Sequence, residues 1–218
     1  MLQVTGIALS YVFVFTIILV ATVLQKQLHL SANFSRKLIH IGVGNWIFFV
    51  FFYFTDWYIV AIPPITFILI NYLSYRYSIF KAMELEEKNP GTIYYAVSLT
   101  ILTVITFIDK PFKILPYLGI LAMTWGDGMA AVIGEKWPVK LLRPGKSLGG
   151  TSAFVVFTLA AVVSYLLIHS NFPFDKILII GGAISITGAV IELFSPRNLD
   201  NLFVPLSLGL FGLIFELA

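Results

Sequence analysis

The chain has 218 residues, 59% of them hydrophobic and 11% charged, with a net charge of +3 and no cysteine. A soluble domain carries roughly 25% charged residues, so this chain has too little polar surface to coat a globule, and its mean hydropathy of +0.93 says the same. The missing cysteines exclude a disulfide framework and thiolate chemistry, and three histidines are a thin supply for a zinc site.

A helix needs about 20 mainly apolar residues to cross a bilayer core of roughly 30 Å. About eight stretches approach that length: 4–24, 38–54, 57–73, 93–108, 114–133, 152–168, 177–194 and 202–217. The last is the shortest and is either re-entrant or strongly tilted, which makes seven spans the alternative count. The expected fold is therefore all-α, a polytopic transmembrane bundle forming one integral membrane domain over 1–218. Strands are not expected, because the apolar runs lack period-2 alternation and single strands do not survive in lipid. The first stretch has no basic residue before it and no clear cleavage site behind it, so it reads as a span and not as a signal peptide.

The polar residues follow in chain order. Arg36 and Lys37 precede the second span, and His40 lies about one turn inside it; Arg36 and His40 are four apart and share a helix face. The bland reading is membrane anchoring plus a histidine bonded to a carbonyl. The functional one notes that ionisable groups at lipid depth are costly and tend to be used. After the third span, Glu84, Glu86, Glu87 and Lys88 precede a Pro90-Gly91 turn and Tyr94-Tyr95. That acidic run alone reads more readily as a solvated helix end than as a site.

The fifth span carries Asp127, about two turns from its inner end. A carboxylate there is either a metal ligand or proton acceptor, or a packing group bonded to another helix. Gly126, Ala130 and Gly134 recur at four-residue spacing, a small-residue face that permits close helix approach. The loop before the sixth span holds Gly145, Lys146, Ser147, Gly149, Gly150 and Thr151. Its amides and hydroxyls suit an anion at a helix start, or else simply cap that helix. It is not a P-loop, since the required earlier glycine position is Lys140. Glu192 ends the seventh span, and Asp200 and Asn201 open the eighth. These are hard oxygen ligands of the kind Mg²⁺ accepts, or, for Asp200 and Asn201, N-caps.

Eleven Lys and Arg fall in the loops after odd-numbered spans and three in the loops after even-numbered ones. The positive-inside rule then places the odd loops in the cytoplasm and both termini outside. All the clusters above share that cytoplasmic side.

Taken jointly, Arg36-Lys37-x-x-His40, the Glu-rich loop ending in Gly91 and Tyr94-Tyr95, Asp127-Gly-x-Ala-x-x-x-Gly134, Lys146-Ser147 with Gly149, Gly150 and Thr151, and Glu192 with Asp200, Asn201 and Pro205 resemble the polyprenol kinase family. That family includes dolichol, phytol and farnesol kinases and yeast-type CTP-dependent diacylglycerol kinases; the phytol kinase branch is the most similar. The resemblance runs from Arg36 to Pro205. It implies transfer of the γ-phosphoryl of CTP, or another nucleoside triphosphate, to an isoprenoid alcohol with Mg²⁺, at the cytoplasmic face. In that frame Asp127, Lys146 and His40 are catalytic. Arg36, Lys37, Lys146, Ser147, Gly149, Gly150 and Thr151 hold nucleotide phosphates, and Asp127, Glu192, Asp200 and Asn201 hold the metal. Phosphoryl transfer asks chiefly for positioning and charge neutralisation, which fits charges gathered on one face.

Two alternatives stand beside this. A CTP-dependent phosphatidate cytidylyltransferase uses the same face, nucleotide and metal, but its usual Lys-Asp and Gly-His-Gly-Gly-x-x-Asp-Arg signature is not found. An ion-coupled transporter places its carboxylates near the midplane, whereas these crowd toward one face. The partners expected are a lipid alcohol, a nucleoside triphosphate and the bilayer, with no nucleic acid.

Overall fold

A computed structural model describes residues 1–79, 90–109, 113–196 and 198–217, the last two of these without their side chains. Glu84, Glu86, Glu87, Lys88 and Arg197 lie outside the described residues. Eight main helices follow in order: α1 (Leu2–Gln27), α2 (Ala32–Gly44), α3 (Trp57–Tyr77), α4 (Gly91–Phe107), α5 (Tyr117–Lys136), α6 (Leu148–His169), α7 (Phe174–Phe194) and α8 (Asp200–Leu217). Five of them, α1, α3, α5, α6 and α7, are long and apolar enough to cross a membrane, while α4 and the apolar part of α8 are shorter. By that measure the expectation of about eight spans reaches five among the described residues. The outer faces of α1, α6 and α7 present exposed Val12, Leu19, Val156, Leu167, Ile179 and Ile186, a surface suited to hydrocarbon and not to water.

The stretch 38–54 is not one helix. Ser31 caps α2 by accepting from the Phe34 amide at 3.1 Å. The helix then gives way at Gly44 to a 3-10 turn (Asn45–Phe48) and one α-turn (Val50–Tyr53). Two local causes act together. Glycine at positions 42 and 44 supports a helix poorly, and Asn45 turns its side-chain amide back onto the Ile41 carbonyl at 2.8 Å. Gly44 has no room for a side chain, because a Cβ there would overlap the Thr124 side chain and stand 2.5 Å from the Tyr95 hydroxyl.

Within α5 the backbone widens into a π-helical turn over Ala122–Asp127 before resuming α geometry at Gly128. The small-residue face of α5 packs on α6. A Cβ on Gly126 would strike the Thr158 hydroxyl, one on Gly134 would come 3.1 Å from the Gly150 Cα, and one on Gly150 would come 2.9 Å from the Ala130 carbonyl. Four-residue spacing on one helix thus meets four-residue spacing (150, 154, 158) on the other.

A proline inside α8 ties that helix to α4. Pro205 has no N–H, so the Asn201 carbonyl four residues earlier loses its helical donor. The Ser98 hydroxyl of α4 donates to that carbonyl at 3.0 Å.

The expectation of no strands needs one correction. Leu141–Arg143 (β1) and Lys146–Ser147 (β2) form a short antiparallel hairpin, pairing Leu141 with Ser147 and Arg143 with Lys146. Pro144 and Gly145 occupy the turn, and Gly145 has φ 77°, the value a type II turn asks of its third residue. The hairpin sits in a polar loop, where water can serve its unpaired edges; the lipid rule applies to spans and not to such loops.

Candidate active site at one end of the helix bundle

Three carboxylates converge where the ends of α5, α7 and α8 meet. Asp127, Glu192 and Asp200 each offer an oxygen, and the three oxygens lie within 4.8 Å of one another. All three side chains are largely buried. Like charges so close need compensation, and two lysines supply it. Lys37 of α2 pairs with Asp127, and Lys146 of β2 pairs with Glu192 and reaches Asp200 at 3.4 Å. Burial alone disfavours the Lys146 ammonium. The charges of Glu192, Asp127 and Asp200 outweigh that and hold its pKa above the usual lysine value. Arg36 stands in the same wall.

Asp200 is used at both oxygens. Oδ1 accepts from the backbone and side-chain amides of Asn201 at 2.9 and 3.0 Å, which steadies the first turn of α8, while Oδ2 faces Lys146. Helix start and charge cluster are thus served by one residue. Asn198, just before α8, sits at φ 72°, a left-handed conformation that Asn tolerates through its short polar side chain.

These groups surround a polar cavity of about 520 Å³. Thr151 and Gly150 line it from α6, and the Thr151 hydroxyl is buried with no hydrogen-bond partner among the described residues. The free amides expected at the start of α6 are not there. The Leu148 N–H donates to the Lys140 carbonyl at 2.8 Å and the Gly149 N–H to the Pro138 carbonyl at 3.1 Å. The Gly150 N–H donates to the Ser147 hydroxyl at 3.1 Å. The segment leading into β1 lays its Pro138 and Lys140 carbonyls over this helix start, and Ser147 is the N-cap of α6. Gly149 faces Trp137, whose carbonyl a Cβ would overlap.

His40 stands apart from the polar cavity. Its Nε2 lies 3.0 Å from the Met123 carbonyl and its ring 4.2 Å from that of Tyr95. A carbonyl only accepts, so Nε2 carries the proton. Tyr95 in turn shares a 2.7 Å hydrogen bond with the Thr124 hydroxyl. The π-helical turn of α5 therefore presents Met123 and Thr124 to α2 and α4 just before it delivers Asp127, and π-turns recur at functional sites.

A second, narrow cleft adjoins the first. It has a volume of about 70 Å³ and runs between α1, α2, α3 and α4 over mainly apolar side chains, among them Val14, Ile39, Phe67 and Leu99. Arg36 and Asn201 line both the cleft and the polar cavity, and His40 lines the cleft.

The structure thus gathers Arg36, Lys37, Asp127, Lys146, Glu192, Asp200 and Asn201 at one place, with Thr151, Gly150 and Ser147 in the wall, Ser147 also capping α6, and Gly149 turned away. Sequence reading passed over Glu135 and Asn33, which close the rim with a 2.9 Å hydrogen bond. It also passed over the support that Met123 and Thr124 provide. No spacing signal marks those two, because their role depends on a widened turn that residue types alone do not announce.

Fold and site together define an integral membrane protein in which a charge-lined polar cavity opens beside an apolar cleft. Over 210 residues the chain is 31% identical to phytol kinase of Synechocystis sp., a match that covers 94% of this chain and 89% of that relative. The chain belongs to the polyprenol kinase family, in its phytol kinase-like branch. No family model matches the sequence, and no solved structure matches it significantly.

Proposed function

We propose that this protein is a membrane-embedded lipid-alcohol kinase that transfers the γ-phosphoryl of CTP, or another nucleoside triphosphate, to an isoprenoid alcohol. The observation that carries the reading is the junction of the two cavities. A polar chamber of about 520 Å³, walled by clustered carboxylates and cations, meets an apolar cleft, and Arg36 and Asn201 line both. The similarity to a phytol kinase supports the same reaction class.

The donor set fits a hard divalent cation: three buried carboxylates within 4.8 Å, each an oxygen ligand of the type Mg²⁺ takes alongside phosphate and water. Asp127, Glu192 and Asp200 hold the ion in this reading, with Asn201 beside them, and the bound ion supplies charge neutralisation at the phosphates. Lys146, Lys37 and Arg36 bind phosphate oxygens, and the unpartnered Thr151 hydroxyl donates to one. The alcohol hydroxyl lies at the junction, within reach of Arg36 and Asn201, and its isoprenoid tail occupies the cleft. In the alternative assignment, Glu192 and Asp200 hold the ion and Asp127 accepts the alcohol proton. His40, tied to the Met123 carbonyl, orients the junction. Ser147 and Gly149 support the loop without touching phosphate. The site faces the cytoplasm, where the nucleotide is, and the chain crosses the bilayer several times.

The test supplies γ-labelled CTP or ATP to the purified protein, with a panel of isoprenoid alcohols, diacylglycerol and phosphatidic acid. Label in an isoprenoid monophosphate is the expected result. Pyrophosphate release with a CDP-lipid identifies a cytidylyltransferase instead, and no turnover with any lipid returns the carboxylates to ion transport.

A further inference from the structure

We infer that Trp46, held by Ser10, forms the floor of the alcohol cleft and sets the isoprenoid length that the site accepts. The inference rests on the kinase reading above and adds a determinant of substrate choice to it.

Three helices trace the same depth. From the site end inward, α2 contributes Arg36, Ile39, His40 and Val43 and stops at Trp46. In α1 the cleft residues run from Ile18 through Val14 to Ser10, and in α3 from Asn71 through Phe67 to Pro64 and Pro63. Each series ends far from the charged site. From Arg36 to Trp46 is ten residues, or about 15 Å at the helical rise. That depth suits an extended tail of about farnesol length and stops a polyprenol of dolichol length.

The floor is built and not incidental. Trp46 is 2% exposed, and its Nε1–H donates to the Ser10 hydroxyl at 2.8 Å. The Ser10 hydroxyl in turn donates to the Gly6 carbonyl at 2.7 Å. The indole cannot swing aside without stranding a buried N–H, which is costly where no water can replace the partner. Trp46 lies in the 3-10 turn that follows Gly44 and lines the cleft there. Behind the indole stand Phe49 and Phe54, with ring centroids 6.3 and 6.4 Å away.

The experiment measures kcat/KM for geraniol, farnesol, geranylgeraniol, phytol and a long polyprenol, in the unaltered protein and in two variants that push in opposite directions. Trp46→Ala extends the cleft toward Phe54, so preference moves to longer alcohols, with the long-to-short ratio rising on the order of tenfold, the scale on which apolar pockets discriminate. Val43→Phe fills the cleft above the floor and moves preference to shorter alcohols by a similar factor. A merely structural defect lowers every alcohol alike and leaves the ratios where they were. If Trp46→Ala does not fold, Val43→Phe decides alone. Turnover in the unaltered protein with ratios unmoved in every folded variant overturns this inference only. No turnover of any alcohol by the unaltered protein overturns the kinase reading and this inference with it.

Discussion

Lys146→Ala removes the cation that bridges two of the three clustered carboxylates. Glu192 and Asp200 lose their described counter-ion, and Asp127 keeps Lys37. At a separation of 4.8 Å, two unit charges in a protein-like dielectric near 20 repel by on the order of 3.5 kcal/mol. Breaking a buried pair by deleting one partner costs about 3–5 kcal/mol by a separate route, so the two figures agree in scale. For a chain of this size that corresponds to a thermal midpoint about 10 °C lower. A divalent cation relieves the same repulsion, so the variant gains more from Mg²⁺ than the parent does. The assay is thermal unfolding in detergent, first in chelator and then across an Mg²⁺ titration, with labelled phosphoryl transfer alongside. The expected pattern is a depressed midpoint in chelator, a larger Mg²⁺-dependent recovery than in the parent, and turnover down by at least about a hundredfold, as for other lost electrostatic contacts at a transition state. An unchanged midpoint in chelator together with an Mg²⁺ response equal to the parent's refutes the charge argument.

Other outcomes follow from single contacts. Asp127→Asn keeps the shape of the site but leaves Lys37 without its charge partner; turnover is lost while the folded state persists, which circular dichroism and the labelled-transfer assay together show. Gly44→Ala drives a methyl group into the Thr124 side chain and costs about 1–3 kcal/mol; combining it with Thr124→Ala restores part of the stability, and a double-mutant cycle measures how much. Ser147→Ala removes the α6 cap at a cost of about 1 kcal/mol, visible as a lower midpoint, and leaves the KM for nucleotide unchanged; a raised KM with an unmoved midpoint assigns Ser147 to phosphate instead. The Lys146 pKa lies above the ordinary 10.5. Its ion pairs are therefore fully present below that pH and are lost as pH rises through the higher folded value. Lys146→Arg and the parent accordingly lose stability in parallel from pH 7 to 9 and diverge only beyond about 10.5, as midpoints across a pH series test.

Much of the site was legible because lipid depth makes charge conspicuous. Asp127 and Glu192 stand out in apolar surroundings, and a carboxylate there needs a partner whatever the fold. Which lysine pairs with which acid was not legible, since Lys37 meets Asp127 across 90 positions and Lys146 meets Glu192 across 46. The stripe of Gly126, Ala130 and Gly134 announced a close helix contact, and its partner on α6 shows the same spacing. The break after Gly44 escaped the hydropathy reading because Trp46, Ile47 and Phe48 are as apolar as any helix interior. Residue type reports where a segment sits and not how its backbone turns. The Gly145 region misled in the opposite way. Glycine, lysine and hydroxyls suggested open amides, and only the folded hairpin shows that Lys140 and Pro138 have taken them.

The buried part of the polar cavity holds three acids, Asp127, Glu192 and Asp200, and three fixed cations, Arg36, Lys37 and Lys146, with Glu135 exposed at the rim. Among the described residues the buried part of the chamber is thus balanced by formal charge, and Glu135 adds one negative charge at the rim. A bare nucleotide entering it brings uncompensated negative charge into a poorly polarisable setting, and a bare divalent ion brings the reverse. A nucleotide already carrying its ion comes nearest to preserving the balance, with the lysines free to exchange one set of anions for another. On the kinase reading proposed above, the arrangement acts as an ion exchanger that favours the paired ligand over either half.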